Sequence, residues 1–364
     1  MNRPHTRWSR VALIGIGASL IVGVFVLAFS WPAVTSTVHA VPLVVSGTST
    51  TADTIAAQLE QNASAQFDIT RVATRDDAVA AVQRRDAFGA VVADSPVPEV
   101  LTASANGVVV SQLFTGLAAQ LQSSFSQQLQ AQGVAADAVP VIAVTDVVPL
   151  AATDPRGAGF TTLSFPLVIG GMIGGVAVSL LVVGVWRRLT AVVLYGLAAG
   201  VVVVAISQAW FGILQGPALL NVVAVAAAVL GISAFIVGLT SVLGPRGIAV
   251  GAVLSLLVGN PISGASQPWQ FLPAPWGAIG QFFPPGAGAT LLRDLSYFPD
   301  ASTLEPWLVL AGWIALGVVL MSVGHFRNRA TMTPSPGSLE PEPETGVAPA
   351  PGTGAPAATA SGSA

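Results

Sequence analysis

The chain has 364 residues, of which 53% are hydrophobic and 9% charged, and its mean hydropathy is +0.74. This composition is typical of membrane proteins and excludes an ordinary soluble domain. The formal net charge is −3, all 14 basic residues are arginines, and there is no cysteine. The absence of cysteine excludes disulfides, thiolate metal ligands and a thiolate nucleophile.

The first apolar segment, residues 11–31, follows a short basic stretch at 1–10. It carries no charge, and at about 1.5 Å per residue it is long enough to cross a hydrocarbon core of about 30 Å. We interpret it as the first transmembrane helix, with residues 1–10 in the cytoplasm. A cleaved signal peptide is the alternative, because the sequence from Val38 to Ala40 resembles a cleavage site. That site lies well beyond the apolar run, and cleavage stays open.

Hydrophobicity returns at about residue 161 and predicts transmembrane helices two to five within 161–258. Charges and helix breakers divide this block, with Arg187-Arg188 placed between helices two and three. The predicted helices lie at 162–186, 189–212, 218–243 and 248–258. The last of these is short for a full crossing. A sixth helix is predicted within 305–326.

The distribution of arginines predicts the orientation, because short cytoplasmic loops carry an excess of positive charge. With both termini inside, one group of arginines falls on the cytoplasmic side: Arg3, Arg7, Arg10, Arg187, Arg188, Arg246, Arg327 and Arg329. The predicted location is the plasma membrane. The final segment, 327–364, is rich in Pro, Gly, Ala and Ser and is predicted to be a disordered cytoplasmic tail.

Residues 32–160 are predicted to form an extracytoplasmic α/β domain, because strand-like and helix-like patterns alternate there. The pattern predicts strands at 41–47, 67–74 and 87–94 and helices at 51–62 and 76–86. Thr74 and Asp77 have the spacing of a helix-capping box. The fold class is therefore a polytopic α-helical membrane protein with six transmembrane helices and an α/β domain between the first two.

A long helix is predicted from Gln112 onward, with one apolar stripe along it. The stripe consists of Leu113, Leu117, Leu121, Phe125 and Leu129. It is expected to dock on the α/β domain or on a second copy of the chain, and residues 139–150 then return as an extended segment. No Ser/His/Asp grouping is visible, and the three histidines stand far apart. The sequence therefore predicts neither an enzyme nor a metal site.

Charged side chains are missing from two long stretches, from Phe160 to Trp186 and from Leu189 to Pro245. Proton-coupled pumps place titratable groups within the membrane, which argues against one half of an RND-type exporter. A phosphate-binding P-loop needs a lysine, and this chain has none. Active transport would therefore need energy from another subunit.

Residues 259–304 include the proline- and tryptophan-rich stretch from Gln267 to Gly288. Its lack of charge from Pro268 onward predicts a re-entrant or interfacial element rather than an exposed loop. Pro275 is placed to begin a short helix whose Trp276, Ile279 and Phe283 share one face, and Pro284-Pro285 is placed to end it. A second short helix is predicted over 287–298. Its Arg293 is expected to pair with Asp294 or a neighbour, or to meet a lipid phosphate.

Two stretches carry a family resemblance: DPRGAGFTTLSFPLVIGG, residues 154–171, and GNPISGASQPWQFLPAPWGAIGQFFPPGAGATLLRDLSYF, residues 259–298. They resemble ABC-2-type transporter permeases of the actinobacterial branch with a large extracytoplasmic domain after the first span. The phage-infection-protein-like and nitrosoguanidine-resistance-type membrane proteins are similar. The resemblance implies a permease half that forms a homodimer or heterodimer, exports a hydrophobic or amphipathic substrate and is driven by separate ATP-binding subunits. It also implies re-entrant helices between spans five and six.

Two sets of candidate site residues follow. The substrate path or gate is assigned to Asn260, Pro261, Trp269, Trp276 and Arg293. Permeases of this type present a cytoplasmic helix to the ATPase, and residues 186–189 leave little room for one. Either the coupling surface is built from residues 1–10 and helix ends, with Arg187, Arg188 and Arg246 as candidates, or no ATPase partner exists. No cofactor is expected in this chain, since ATP would be bound by the partner, and no nucleic-acid partner is expected. The alternative function is a non-transporting membrane scaffold or receptor whose extracytoplasmic domain binds a partner or envelope component.

Overall fold

A computed structural model describes residues 7–63 and 65–330 of the chain. The first six residues and most of the predicted tail, 331–364, lie outside the described residues. The described helices are α1 (Trp8–Thr35), α2 (Thr50–Ala63), α3 (Arg75–Gln83), α4 (Val108–Ala131), α5 (Ala158–Leu181), α6 (Val185–Val204), α7 (Ala218–Leu243), α8 (Arg246–Val253), α9 (Trp276–Gln281), α10 (Pro284–Tyr297) and α11 (Leu304–Ala330). The strands are β1 (Val41–Ser46), β2 (Phe67–Val72), β3 (Gly89–Val92), β4 (Glu99–Thr102) and β5 (Ala143–Asp146).

Within the described part of the chain, five helices are long and apolar enough to cross a membrane: α1, α5, α6, α7 and α11. The predicted short segment at 248–258 corresponds to α8, which continues as a turn of π-helix over Leu254–Gly259. The whole apolar segment, Arg246–Gly259, is shorter than these five helices. Length and composition therefore support five membrane-crossing helices and one shorter apolar segment.

The break between α5 and α6 lies earlier than the sequence predicted. Arg187-Arg188 was expected to separate two helices, but both residues lie in the first turn of α6. The chain turns instead at Val182–Gly184, where Gly184 has a φ of 98°, which a residue with a side chain rarely adopts. A turn that contains this glycine, rather than the charge pair, separates α5 from α6.

Helix α7 is the centre of the helical part, with most of its residues buried. Gly171 and Gly175 on α5 lie against Ile232 and Ile236 of α7, where a Cβ would be 2.8 Å and 2.9 Å from the isoleucine Cβ atoms. Small residues at this spacing let two helices approach closely. Helix α1, by contrast, is exposed along nearly its whole length, and Pro32 is its one buried residue.

The five strands form one mixed sheet in the order β2-β1-β3-β4-β5. β1 pairs in parallel with β2 and β3, β3 pairs antiparallel with β4, and β4 pairs in parallel with β5. The three strands and two helices predicted from alternation are confirmed, and so is the capping box of Thr74 and Asp77. The short strand β4 was not predicted.

The two faces of the sheet have different partners. Helices α2 and α4 pack on one face, in an apolar cluster that contains Leu43 and Val45 of β1 together with Phe114 of α4. On the other face, Val44 belongs to a cluster that includes α3 and residues of α5, α6, α7 and α10. The sheet therefore lies between the α2/α4 layer and the helical part of the molecule.

Helix α4 docks within the chain, as the first of the two sequence alternatives predicted. Its buried residues are Val110, Phe114, Leu117, Ala118 and Leu121. Leu113 and Phe125 are partly buried against the same cluster, whereas Leu129 does not belong to it. The stripe is therefore shifted toward the start of the helix, which begins at Val108 rather than Gln112.

Candidate functional site

Helices α9 and α10 form a hairpin that reaches the middle of α7 and then returns. Gly259, at the end of the α8 segment, lies against Phe283 between the two short helices. Pro284 packs beside Gly231 at the midpoint of α7, and Gly288 lies beside Ala228, one turn nearer the start of α7. The far end of α10 approaches Gly216, which precedes α7. We refer to residues 276–297 as the α9–α10 hairpin.

Pro284 and Pro285 have a different role from the one predicted, whereas Pro275 does not. Pro275 immediately precedes α9, close to its predicted place at the start of that helix. Pro284 and Pro285 do not end α9, which stops at Gln281; they begin α10. Proline suits the first turn of a helix because the amide hydrogen it lacks would have no intrahelical partner there.

The hairpin is held against the preceding loop by close backbone packing. A Cβ at Gly277 would overlap the carbonyl group of Trp269, and a Cβ at Gly280 would overlap the carbonyl oxygen of Ile262. The Gln281 side-chain amide donates a hydrogen bond of 2.9 Å to the carbonyl oxygen of Ser263. These contacts require glycine at 277 and 280 and fix α9 beside residues 262–269.

A cavity of about 280 Å³ lies between this loop and the long helices. We call it the junction cavity. Asn260 and Pro261 line it on one side, and Phe29 of α1 and Phe165 of α5 line it on another. The two phenylalanine rings are in edge contact, with centroids 6.3 Å apart. Ser164, Ser266 and Gln267 supply polar lining, so the cavity is amphipathic.

The two tryptophans assigned to the path lie outside the junction cavity. Trp276 makes an edge contact with Trp31 of α1, at a centroid distance of 6.2 Å. Trp269 lines a separate cavity of about 300 Å³, to which Asp294 and Glu305 also contribute. Both tryptophans are partly exposed. The five assigned path residues therefore surround one loop and hairpin without sharing a single cavity.

Arg293 is buried behind the junction cavity. Its guanidinium donates hydrogen bonds of 3.3 Å to the carbonyl oxygen of Asn106 and of 3.2 Å to that of Ala265, which lines the cavity. It also lies 5.0 Å from the centroid of the Phe160 ring. Asp294, the expected partner of Arg293, forms its ion pair with Arg85 instead.

Arg85 joins the sheet unit to α10. Its Nη1 donates a hydrogen bond of 2.6 Å to Oδ1 of Asp294, 209 residues away, and its Nε donates one of 3.0 Å to Oδ1 of Asn106. The Arg85 and Asp294 side chains are 13% and 5% exposed. Arg85 follows α3 with a φ of 62°, a left-handed conformation that a side chain disfavours. This strained backbone conformation therefore occurs at the residue whose side chain contacts Asp294 and Asn106.

Arg85, Asn106, Arg293 and Asp294 form a compact group that we call the polar junction. Arg293 and Asp294 are both buried, and the Arg85 side chain is largely buried beside them. The Asp294 carboxylate thus pairs with Arg85, and main-chain carbonyl oxygens and the Phe160 ring stabilise the buried guanidinium of Arg293.

The arginines assigned to the coupling surface lie at the other end of the long helices. Arg188 donates to the carbonyl oxygens of Val182 and Ser179, at 2.8 Å and 3.1 Å, and so caps the end of α5. It also donates to Oγ of Ser241 on α7. Arg187 and Arg246 are exposed. The three residues therefore divide into one that holds helix ends together and two that face outward.

The fold defines an α-helical membrane protein by the length and composition of its helices, with one mixed α/β unit between α1 and α5. Comparison with known proteins adds no assignment: no family model matches the chain, and neither a curated protein nor a solved structure matches it.

Proposed function

We propose that this chain is the permease subunit of an ABC-2-type exporter in the plasma membrane, moving a hydrophobic or amphipathic substrate with energy from a separate ATPase. The observation that carries the proposal is the α9–α10 hairpin, which reaches the midpoint of α7 beside an amphipathic cavity. In the proposed topology α8 with its π-helical turn is the fifth of six membrane segments, the termini are cytoplasmic and the α/β unit is extracytoplasmic.

The physical requirements of a bilayer support a functional role for the hairpin. Irregular backbone at membrane depth is tolerated only where protein buries it or where it lines a cavity. The loop from Asn260 to Gln267 lines the junction cavity, and the glycine contacts of α9 bury the rest. In our proposal the junction cavity is part of a lateral exit path, with Asn260 and Pro261 in its wall.

The remaining path residues have distinct proposed roles. Trp276, in T-shaped contact with Trp31, closes the gap between the hairpin and α1. Arg293 positions the wall through the carbonyl oxygen of Ala265, and Trp269 supports α9 from the neighbouring cavity. A movement of the α/β unit would be transmitted to this wall through the polar junction, because Arg85 and Asn106 belong to that unit.

The proposed ATPase-coupling surface consists of the two exposed arginines, Arg187 and Arg246. Arg188 acts indirectly, by holding the ends of α5 and α7 in place. An acidic surface on an ATPase would be complementary to this basic end of the helices. The exposed apolar sides of α1 are available to lipid or to the second half of a dimer.

Co-purification tests this proposal. We expect the tagged full-length chain, expressed in its own host and extracted in mild detergent, to retain an ATP-binding subunit detected by mass spectrometry and by ATP hydrolysis. The double variant Arg187→Glu/Arg246→Glu is expected to lose roughly tenfold or more of that subunit, because like charges then face each other.

Arg84→Glu is the matched control, since Arg84 is half exposed on the α/β unit and pairs with Asp86. It is expected to retain the ATPase. Recovery of a folded chain without any ATPase, or equal recovery by the double variant, would contradict the exporter and favour the non-transporting receptor.

A further inference from the structure

A second cavity lies on the α/β unit, between α2 and α4, with a volume of about 610 Å³. We call it the α2–α4 cleft. Thr50 at the start of α2, Pro98 just before β4 and Ile142 just before β5 border it. Val92 at the end of β3 pairs with Glu99, and Glu99 pairs with Ala143. The cleft therefore opens at the carboxyl ends of β1 and β3.

This position coincides with a reversal in the winding of the sheet. From β1 the chain passes through α2 to β2 on one side, and from β2 it passes through α3 to β3 on the other side of β1. Helices α2 and α3 pack on opposite faces. Open sheets that contain parallel strands bind ligands outside the carboxyl ends of the strands at such a switch point. The volume also lies in the usual range of ligand sites.

The lining combines neutral polar groups with an apolar floor. Gln58 on α2 and Gln127 and Gln128 on α4 border the cleft, and their side chains make no hydrogen bond with any residue that the structure describes. Carboxamides both donate and accept hydrogen bonds. Leu121 and Phe125 contribute apolar surface. The cleft therefore offers paired donors and acceptors beside a flat ring.

Charge restricts the class of ligand. No residue lining the cleft is ionisable. The acid in the first turn of α2, Asp53, forms an ion pair of 2.6 Å with Arg71, and Asp94 near the end of β3 accepts from Ser46. An anion would meet no cation in the lining, and a cation would meet no carboxylate there. Burying an unpaired charge is costly, so a neutral ligand fits best.

A carbohydrate fits this chemistry better than a peptide. Sugar rings carry hydroxyl groups that donate and accept, and their C–H faces pack on aromatic rings such as that of Phe125. A neutral extended peptide would instead satisfy its backbone along an open strand edge. The cleft has helices for two of its walls and offers side-chain groups.

We propose that the α2–α4 cleft is a binding site for a neutral carbohydrate. The inference goes beyond the exporter and does not depend on it, since the cleft lies on the sheet face opposite the helical part. A free oligosaccharide and a neutral glycan of the cell envelope share the chemistry that the cleft would recognise.

The test uses the full-length chain in detergent, carrying a fluorescent tag, on an array of neutral and anionic oligosaccharides with a parallel set of neutral peptides. We expect binding to neutral glycans. Binding of free trisaccharides would identify a soluble oligosaccharide as the ligand. Binding of longer arrayed glycans alone would identify a cell-envelope polymer as the ligand. For the best neutral glycan, Gln58→Leu and Gln128→Leu are each expected to raise Kd roughly tenfold, through lost hydrogen bonds.

Gln130→Leu is the matched control, because Gln130 is exposed on the same helix and does not line the cleft. Its Kd is expected to equal that of the unchanged chain. Size-exclusion profiles establish that each variant is folded. Binding confined to peptides or anionic glycans, no binding at millimolar glycan, or equal Kd values for all three variants would overturn the proposal.

Discussion

Arg85→Ala is expected to lower the free energy of unfolding by about 3–5 kcal/mol, because Asp294 would keep its buried position without its ion-pair partner. The Asp294 side chain is 5% exposed, so water cannot replace the guanidinium without a rearrangement of α10. The loss also frees Oδ1 of Asn106. Unfolding of the purified chain in detergent, followed by tryptophan fluorescence, measures the effect.

Two further variants separate the ion pair from a general effect of mutation. Arg84→Ala removes the adjacent arginine, whose ion pair with Asp86 is exposed, and should cost less than about 1 kcal/mol. The double variant Arg85→Leu/Asp294→Leu removes both charges and should be less destabilised than Arg85→Ala. Equal free energies of unfolding for Arg85→Ala and Arg84→Ala would show that the polar junction does not hold the α/β unit against the helical part.

Gly280→Ala is expected to displace α9, because its new methyl group would overlap the carbonyl oxygen of Ile262. The obstacle is backbone rather than a flexible side chain, so relief requires movement of the hairpin or of the loop that lines the junction cavity. Overpacking of this kind costs at least about 1–3 kcal/mol. We expect a lower Tm in detergent and, under the proposed exporter function, loss of export in cells that depend on this protein.

Gly312→Ala is the matched control for this change. Gly312 lies within α11, where an added methyl group would meet no atom within 4 Å. Alanine also favours a helix over glycine by about 1 kcal/mol. Gly312→Ala is therefore expected to leave Tm unchanged or to raise it, and to leave the proposed export unchanged. An equal effect of the two substitutions would contradict the close packing of α9.

The elements that depend on local patterns were predictable from the sequence. Apolar length indicated α1, α7 and α11, and alternation indicated β1, α2, β2, α3 and β3. The errors occurred where local geometry overrides composition. Arg187-Arg188 looked like a break, but Gly184 provides it and Arg188 folds back to cap α5. Pro284-Pro285 was interpreted as a helix end, although proline is equally suited to begin the next helix.

The candidate site was predictable only in part. Absence of charge and the paired tryptophans indicated a special element after residue 259, and two short helices lie there. The depth of these helices in a membrane stays a prediction. Arg85 was missed, because it was assigned to the predicted helix 76–86, whereas α3 ends at Gln83, and because its partner lies 209 residues away. Asp294 therefore could not be assigned to Arg85 without the folded chain.

The hairpin at membrane depth is the central claim, and cysteine labelling in whole cells tests it most directly, since the chain has no cysteine of its own. Three single variants are needed: Gln130→Cys on the α/β unit, Arg187→Cys at the basic helix ends and Phe282→Cys at the exposed tip of the hairpin.

A membrane-impermeant maleimide should label Gln130→Cys in intact cells and Arg187→Cys only after permeabilisation. Phe282→Cys should resist it in both conditions and react with a lipophilic maleimide. Labelling of Phe282→Cys as fast as Gln130→Cys, or of Gln130→Cys and Arg187→Cys from the same side, would contradict the account.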